Sequence, residues 1–280
     1  FFSTYNNSPP TLTASPFSIL LIHNYISVPL CFILYRFVLN MCSMSLNFPI
    51  SLAGKRSGGI ELTHLGGSAA WSSLNQQTYS DFDIGEPDSN RIILVAMGGR
   101  YGGSYWNGAS ITVGGVQATL ITRTSFGFAT GVALYQASVP TGTTATIQIT
   151  KPNGSTTSIS GFQAYRVVAS NLTLVDSDQD SCNAYDFQCG DVATGMITTV
   201  NTVSNGVVLA LSYFRFGPGS NKWQSLNWTG IDQDGLVNSS SMSIAVASKQ
   251  SDGTDVTVTV QTDLDKADGK RILLVSLTGD

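Results

Sequence analysis

Between Thr78 and Asp280 no long window of the sequence repeats its apolar residues every 3.6 positions, which argues against any helical architecture. Short alternating segments take the place of helices, each bounded by Gly, Pro, Asn or Asp. YSDFDIG alternates, Glu86-Pro87-Asp88-Ser89-Asn90 turns, and RIILVAMGG follows. Later come ITVGGVQATLI, GVALYQAS, TATIQIT, ATGMITTV, GVVLALSYF, SMSIAVAS, DVTVTVQT and RILLVSLTG. Roughly twelve strands with turn signals about every 8–12 residues predict an all-β fold, an antiparallel β-sandwich of jelly-roll type.

Two hairpins stand out. Gly114-Gly115 separates two alternating runs, and paired glycines supply the positive φ of a primed turn. Lys151-Pro152-Asn153-Gly154 predicts a second turn within IQITKPNGSTTSISGFQAYRVV. Among the strands, RIILVAMG and GVVLALSYF are almost continuously apolar, so they belong at sheet centres. DVTVTVQT is polar at every second residue and keeps that face in water.

The chain divides into three parts. Residues 78–280 are the predicted sandwich. Residues 44–77 are Gly- and Ser-rich, with IELTHL as their one strand-like piece, and read as an arm that docks on the sandwich or waits for a partner. Residues 1–43 differ in composition: the first fifty residues hold no Gly, Asp, Glu or Lys, and Arg36 is their only charge. The apolar run Phe17 to Tyr35 is interrupted by His23, Asn24 and Pro29, which weakens a membrane span of about 20 apolar residues. It also lacks the basic start and small-residue cleavage site of a signal peptide. Upstream sequence read in frame, with a start at Met41 or Met44, fits this composition better. A membrane partner is expected only if that leader is real.

Charged residues make up 11% of the chain, against roughly 25% in ordinary globular proteins, while 42% is hydrophobic. The core is therefore large and the surface hydroxyl-rich, as in secreted or virion β proteins. Net charge is −4 with no Lys/Arg cluster, so nothing supplies the cationic stripe that nucleic acid requires. With a start at Met44, Cys31 and Cys42 fall outside the protein and Cys182 and Cys189 remain. These two form either a small-loop disulfide or a pair of free thiols.

One internal echo bears on function. RIILVAMGGRYGGSYW and VVLALSYFRFGPGSNKW each run apolar strand, Arg-aromatic-Gly, Gly/Ser, then Trp. Parallel strands would bring both loops to one end of the sandwich. Candidate ligand-binding residues there are Arg100, Tyr101, Tyr105, Trp106, Arg215, Phe216, Trp223 and, slightly later, Trp228. Flat aromatic faces stack on sugar rings, and Arg adds a planar fork of donors. The competing reading is that these rings fold inward and plug the end of the sandwich. A second echo, PDSNRIILVA against ADGKRILLVS, reads as a shared way of turning into a strand.

The strand end Phe82-Asp83-Ile84-Gly85, SNRIILVA, ITVGGVQATLI and GVALYQASVPTGTTATIQIT together resemble a family of phage virion and tail-associated β-sandwich modules, met in marine phages and prophages. The likeness spans roughly residues 78–278 and its motifs are architectural. It implies a jelly-roll or Ig-like module in a structural or adhesive role, located in the virion, with other virion proteins, self-association or a host-surface glycan as partners. It carries over no catalytic residues. The alternative, from a different class, is a secreted, extracellular carbohydrate-binding or adhesion module of a bacterium.

Catalysis is not expected. A Ser-His-Asp triad would have to use His64, the only histidine beyond the leader, and no GxSxG elbow is present. Glycoside hydrolysis needs two facing carboxylates, yet Glu61 lies in the arm, Glu86 in a turn, and the aspartates mostly in turns. No organic cofactor is expected. Calcium has two candidate loops, Asp176, Asp178 and Asp180 in DSDQD, and Asp263, Asp265 and Asp268 in DLDKADG. Neither completes an EF-hand: Ser181 stands where the first loop needs its turn glycine, and no bidentate Glu follows.

Overall fold

The computed structural model describes residues 59–72, 75–101, 109–124, 130–151, 158–183, 195–216, 226–239, 242–262 and 267–280. In chain order these form β1 (Glu61–Ser72), β2 (Gln76–Asp83), β3 (Arg91–Tyr101), β4 (Ser110–Val113), β5 (Val116–Gln117), β6 (Thr119–Arg123), β7 (Thr130–Ser138), β8 (Thr144–Thr150) and β9 (Ser158–Val168). There follow β10 (Leu172–Asn183), β11 (Met196–Val200), β12 (Ser204–Phe216), β13 (Leu226–Thr229), β14 (Asp232–Asn238), β15 (Met242–Asp252), β16 (Val256–Thr262) and β17 (Ala267–Gly279).

The topology repeats. β1–β9 fold into a five-stranded sheet ordered β1-β9-β3-β7-β6 and a four-stranded sheet ordered β2-β8-β4-β5. β10–β17 fold into β10-β17-β12-β15-β14 and β11-β16-β13, with all pairings antiparallel. In each half the chain crosses repeatedly between its two sheets, broken only by the hairpins β4–β5, β6–β7 and β14–β15, the connectivity of a jelly roll. The irregularities recur too. A bulge interrupts β1–β9 pairing between His64 and Gly66, and β10–β17 pairing between Leu174 and Asp176. Another sits between Leu120 and Thr122, and again between Gln233 and Gly235. The region read as one sandwich is two jelly rolls in tandem.

Three core clusters make four layers of these four sheets. The central one joins the two five-stranded sheets face to face, with Ile92, Leu94 and Ala96 on one side and Val207, Leu209, Leu211 and Tyr213 on the other. The alternate residues Ile93, Val95 and Met97 pack against Ile111, Ile147 and Ile149 of the four-stranded sheet. Val208, Ala210 and Phe214 pack against Val256, Val258 and Val260. β3 and β12 are thus buried on both faces, which is why their sequences are unbroken apolar runs. Each is the third strand of its five-stranded sheet, as expected. β16 alternates, with its valines buried and Thr257 and Gln261 exposed.

The register matches between the repeats. Ile92 pairs with Val167 and Val207 with Leu277, and counting along both strands carries Arg100-Tyr101 onto Arg215-Phe216. Contacts between the five-stranded sheets follow a pseudo-two-fold axis along the strands. β9 reaches β15 through Gln163 Nε2 to Ile244 O (3.3 Å), β9 reaches β14 through Tyr165 and Asp234, and β6 reaches β10 through Thr122 and Ser177.

Several expectations change. Of the two alternatives for the segment holding IELTHL, the docked one describes Glu61–Ser72, which pairs along its length with β9, and β2 begins at Gln76. Gly114 and Gly115 turn the β4–β5 hairpin with φ of 58° and 80°, the signs of a type I′ turn. The second expected hairpin does not exist, because β8 pairs with β2 and β4 while β9 pairs with β1 and β3. The chain between them changes sheet, and residues 152–157 lie outside the described residues. Residues 1–58, which include the leader, lie outside them as well. Among the described residues no helix is long and apolar enough to cross a membrane.

Pro140-Thr141-Gly142 likewise carries the chain from one sheet to the other. A buried arginine fixes that crossing. Arg91 donates to Val139 O (2.6 Å), Gly85 O (2.7 Å), Thr141 O (2.6 Å) and Gly142 O (2.8 Å). These carbonyls belong to two separate connections, so one guanidinium ties both to the start of β3. Burial pulls its pKa below the usual range, with the nearby Arg166 acting in the same sense and Asp88 and Glu86 opposing it.

Candidate functional site

β3 and β12 run in the same direction. Near their starts, Gln250, the register partner of Val207, donates to Ile60 O (3.1 Å) just ahead of β1. Near their ends, a Cβ built on Gly98 would lie 3.0 Å from Tyr213 Cδ2. The ends of β3 and β12 therefore lie at the same end of the two sheets, and the loops that follow them lie outside the described residues. Tyr105, Trp106 and Trp223 lie outside the described residues. For Tyr101, Arg215 and Phe216 the strand positions are described and the side chains are not.

Arg100 is half-buried and makes no hydrogen bond or ion pair among the described residues. Its register partners are Thr130 and Ile159. Cross-strand partners share a face, and Val132, two residues beyond Thr130, belongs to the central core. Arg100 thus sits on the face its sheet turns to the other repeat. Arg215 pairs with Met242, also a central-core residue, so it holds the equivalent position on the opposing face.

Trp228 is separate from this end group. It lies in β13, packs against the third core cluster and donates its indole N–H to Gln233 Oε1 (3.0 Å). Its place is architectural.

The aspartates of DSDQD are not in a loop. They occupy β10, where period-2 alternation sets Asp176, Asp178 and Asp180 along one face. Two of them turn to different parts of β11 and the third to Asn201 just after it. Asp176 Oδ2 accepts from the Asn201 backbone N (2.8 Å) and Nδ2 (2.8 Å). Asp178 Oδ2 accepts from Thr198 Oγ1 (2.8 Å) and Thr199 N (3.2 Å), and Asp180 Oδ2 from Ile197 N (3.1 Å). β10 and β11 belong to different sheets, so the carboxylates lace the open corner of the second jelly roll. The strand does not bring them together around a point, and no group of three metal-ligating side chains occurs among the described residues. Asp263 and Asp265 lie outside those residues, as does Cys189. For Asp268 and Cys182 only the strand positions, in β17 and β10, are described.

His64 has a structural setting. Its Nε2 lies 3.0 Å from Gln163 Oε1, and its ring centroid is 5.1 Å from that of Tyr165. The Tyr165 hydroxyl donates to Asp234 Oδ2 (2.7 Å) in the other repeat. Burial, then the Asp234 charge and this bond, hold the phenol well above its ordinary pKa. Sequence reasoning missed this seam because its members lie far apart in the chain. The matching register positions in the second repeat are Leu273 and Val275, so the polar seam is confined to one side of the pseudo-axis.

The fold and these positions define a class, an all-β antiparallel sandwich protein built from two jelly rolls. Comparison with family models, curated proteins and solved structures finds no match to this chain.

Proposed function

We propose that this protein is a non-enzymatic surface-recognition or structural protein of the virion or tail-associated kind, and that it engages its target through the end where β3 and β12 finish. One observation carries the reading: Arg-aromatic pairs occupy equivalent register positions at the ends of two strands that run in the same direction. Core packing does not require a charged residue to recur there, whereas Arg and aromatic residues are enriched where proteins recognise partners. The partners in this reading are other virion proteins or further copies of the chain, and a glycan on a host surface. A secreted bacterial adhesion module would use the same end in the same way.

The test is binding of the full chain to a glycan array and to candidate host cells, with Trp106→Ala and Trp223→Ala beside it. Loss of binding with unchanged unfolding free energy supports recognition by this end. If each variant instead loses roughly 3–5 kcal/mol of stability, the rings are core plugs and the recognition reading is wrong.

A further inference from the structure

We infer that the seam between the two jelly rolls also joins separate chains: the first roll of one copy pairs with the second roll of another, giving a reciprocally exchanged dimer. This rests on the reading that further copies of the chain are partners, and names the surface and the mode by which they associate.

Three observations lead there. First, the connection between the rolls is short, and its hydrogen bonds divide between them. Ala169 N donates to Asn90 O (3.1 Å) in the first roll. Ser170 donates to Asp280 O from N (2.8 Å) and from Oγ (2.9 Å), and Asp280 N donates to Asn171 O (3.3 Å), all on the side of the second roll. Rotation about the link between Ala169 and Ser170 therefore parts the rolls and breaks none of these bonds.

Second, each roll closes an outer core of its own, whereas the central core is shared. A roll parted from its partner exposes an apolar sheet face, with Leu94 and Ala96 in the first roll and Leu209 and Leu211 in the second. The matching roll of another chain covers that face with the same contacts as the chain's own.

Third, the seam selects its partner. It sets Gly98 against Tyr213, and the Tyr165 hydroxyl against Asp234. Two first rolls would set Gly98 against Gly98 around a void. They would also set the Tyr165 hydroxyl against Ile121, which holds the bulge position equivalent to Asp234. Two second rolls would set Tyr213 against Tyr213, and Asp234 against Val275, the equivalent of Tyr165. A void, a clash and a polar group without its partner all disfavour like pairs. A first roll thus takes a second roll, its own or another chain's, and reciprocal exchange leaves no roll free.

Exchange keeps every contact of the seam and alters only the connection. The barrier is the opening of the central core, so the two forms interconvert slowly once folded. The dimer forms where chains fold together at high concentration.

The experiment uses the full chain with Gly98→Val or with Tyr213→Ala, refolded from urea in reductant so that no disulfide links chains. Each variant alone has a faulty seam. Refolded together they can exchange, so that the Gly98→Val roll meets the Tyr213→Ala roll, which has room for it, while the other seam is the parent's. Expected from the equimolar mixture, rising between about 1 μM and about 1 mM, is a dimer with one copy of each variant by native mass spectrometry. Its urea midpoint should lie above that of either variant alone. Isotope-labelled and unlabelled parent refolded together should likewise give a dimer of mixed mass that persists on dilution.

Separate variants at both concentrations, each with its own midpoint, overturn the exchange, and so does the absence of a mixed-mass parent dimer. Variant dimers in statistical proportion overturn the selection at the seam. If a variant cannot fold alone, the mixed dimer still should, and a mixture that also fails to fold overturns the proposal. Glycan and host-cell binding is read on the parent monomer, so failure of recognition and failure of exchange are separate results.

Discussion

Gly98 and Tyr213 hold the same place in the two repeats, and they pack against each other across the pseudo-two-fold axis. A methyl group added at Gly98 would stand 3.0 Å from Tyr213 Cδ2 and 3.2 Å from Ile244 Cδ1. A strictly symmetric pair here would leave either two large side chains in conflict or two glycines around a void. Small against large resolves it, and fixes which repeat takes which role. Gly98→Val is expected to cost about 1–3 kcal/mol by overpacking, and Tyr213→Ala about 3–5 kcal/mol by leaving a cavity. The pair should couple: Gly98→Val combined with Tyr213→Ala should cost less than the two added together. Additive losses in urea unfolding would mean the two residues do not share this space.

Arg91 and Arg166 offer a contrast in what a charge contributes. Arg91 is buried and serves four carbonyls, whereas Arg166 meets Glu61 at 3.3 Å, with the Glu61 side chain 66% exposed. Removing the first leaves buried acceptors without donors, at about 1–3 kcal/mol for each that water cannot reach. Arg91→Met is therefore expected to lose at least about 3 kcal/mol, whereas Arg166→Gln gives up one backbone bond, to Glu86 O, and a pair whose carboxylate is exposed, and loses about 1–2 kcal/mol. Arg91→Lys should recover little, because an ammonium lacks the planar fork that reaches both connections. Equal midpoints for the Met and Gln variants in chemical denaturation would show that the clamp contributes nothing special.

The β4–β5 turn tests backbone conformation alone. Gly115 has no atom near enough to obstruct a side chain, yet its φ is 80°, so any cost there arises from the backbone. Gly115→Val should lose about 1–3 kcal/mol, and Gly115→Asn much less, since Asn tolerates that region. A thermal midpoint unchanged in the Val variant would remove the turn assignment.

Local patterns explain what the sequence could disclose. The strands β3, β12 and β16 and the Gly114-Gly115 turn were legible because each is specified by neighbouring residues. The echoing strands RIILVAMGGRY and VVLALSYFRF hold equivalent register positions, but two short stretches did not reveal eight equivalent strands. KPNG misled because a turn motif does not say whether the next strand pairs with the last or crosses to the other sheet. DSDQD was ambiguous for a related reason: alternating aspartates suit a cation loop or a turn, and they equally suit one face of an edge strand. The Tyr165–Asp234 and Arg91 contacts were invisible, since their partners are distant in sequence.

That edge strand gives the last prediction. Asp178 loses some solvation in the folded chain, which raises its pKa, but the bonds from Thr198 Oγ1 and the amides of Thr199 and Gln179 outweigh this, and the net direction is downward. A carboxyl depressed on folding stabilises the native state fully above its unfolded pKa of about 3.9, and the contribution disappears as pH falls through the folded value. Stability should thus be indifferent to this residue between pH 5 and 8, by about zero slope, and should fall on acidification below roughly pH 4. Because Asp178 is exposed, solvent screens the effect and its share is under about 1 kcal/mol. Asp178→Asn keeps the shape and an acceptor while removing the charge, so its urea midpoint should lie below the parent's at pH 6 and approach it as acid protonates the folded carboxylate. Amide exchange adds the local readout. Thr199 N–H bonds to Asp178, and its protection should fall in acid before that of β12 in the sheet centre. The first jelly roll joins β1 to β2 through the neutral Gln77, which donates to Ala70 O, and should show no such early loss. Simultaneous loss at both corners would mean that acid acts on the whole molecule and not through Asp178.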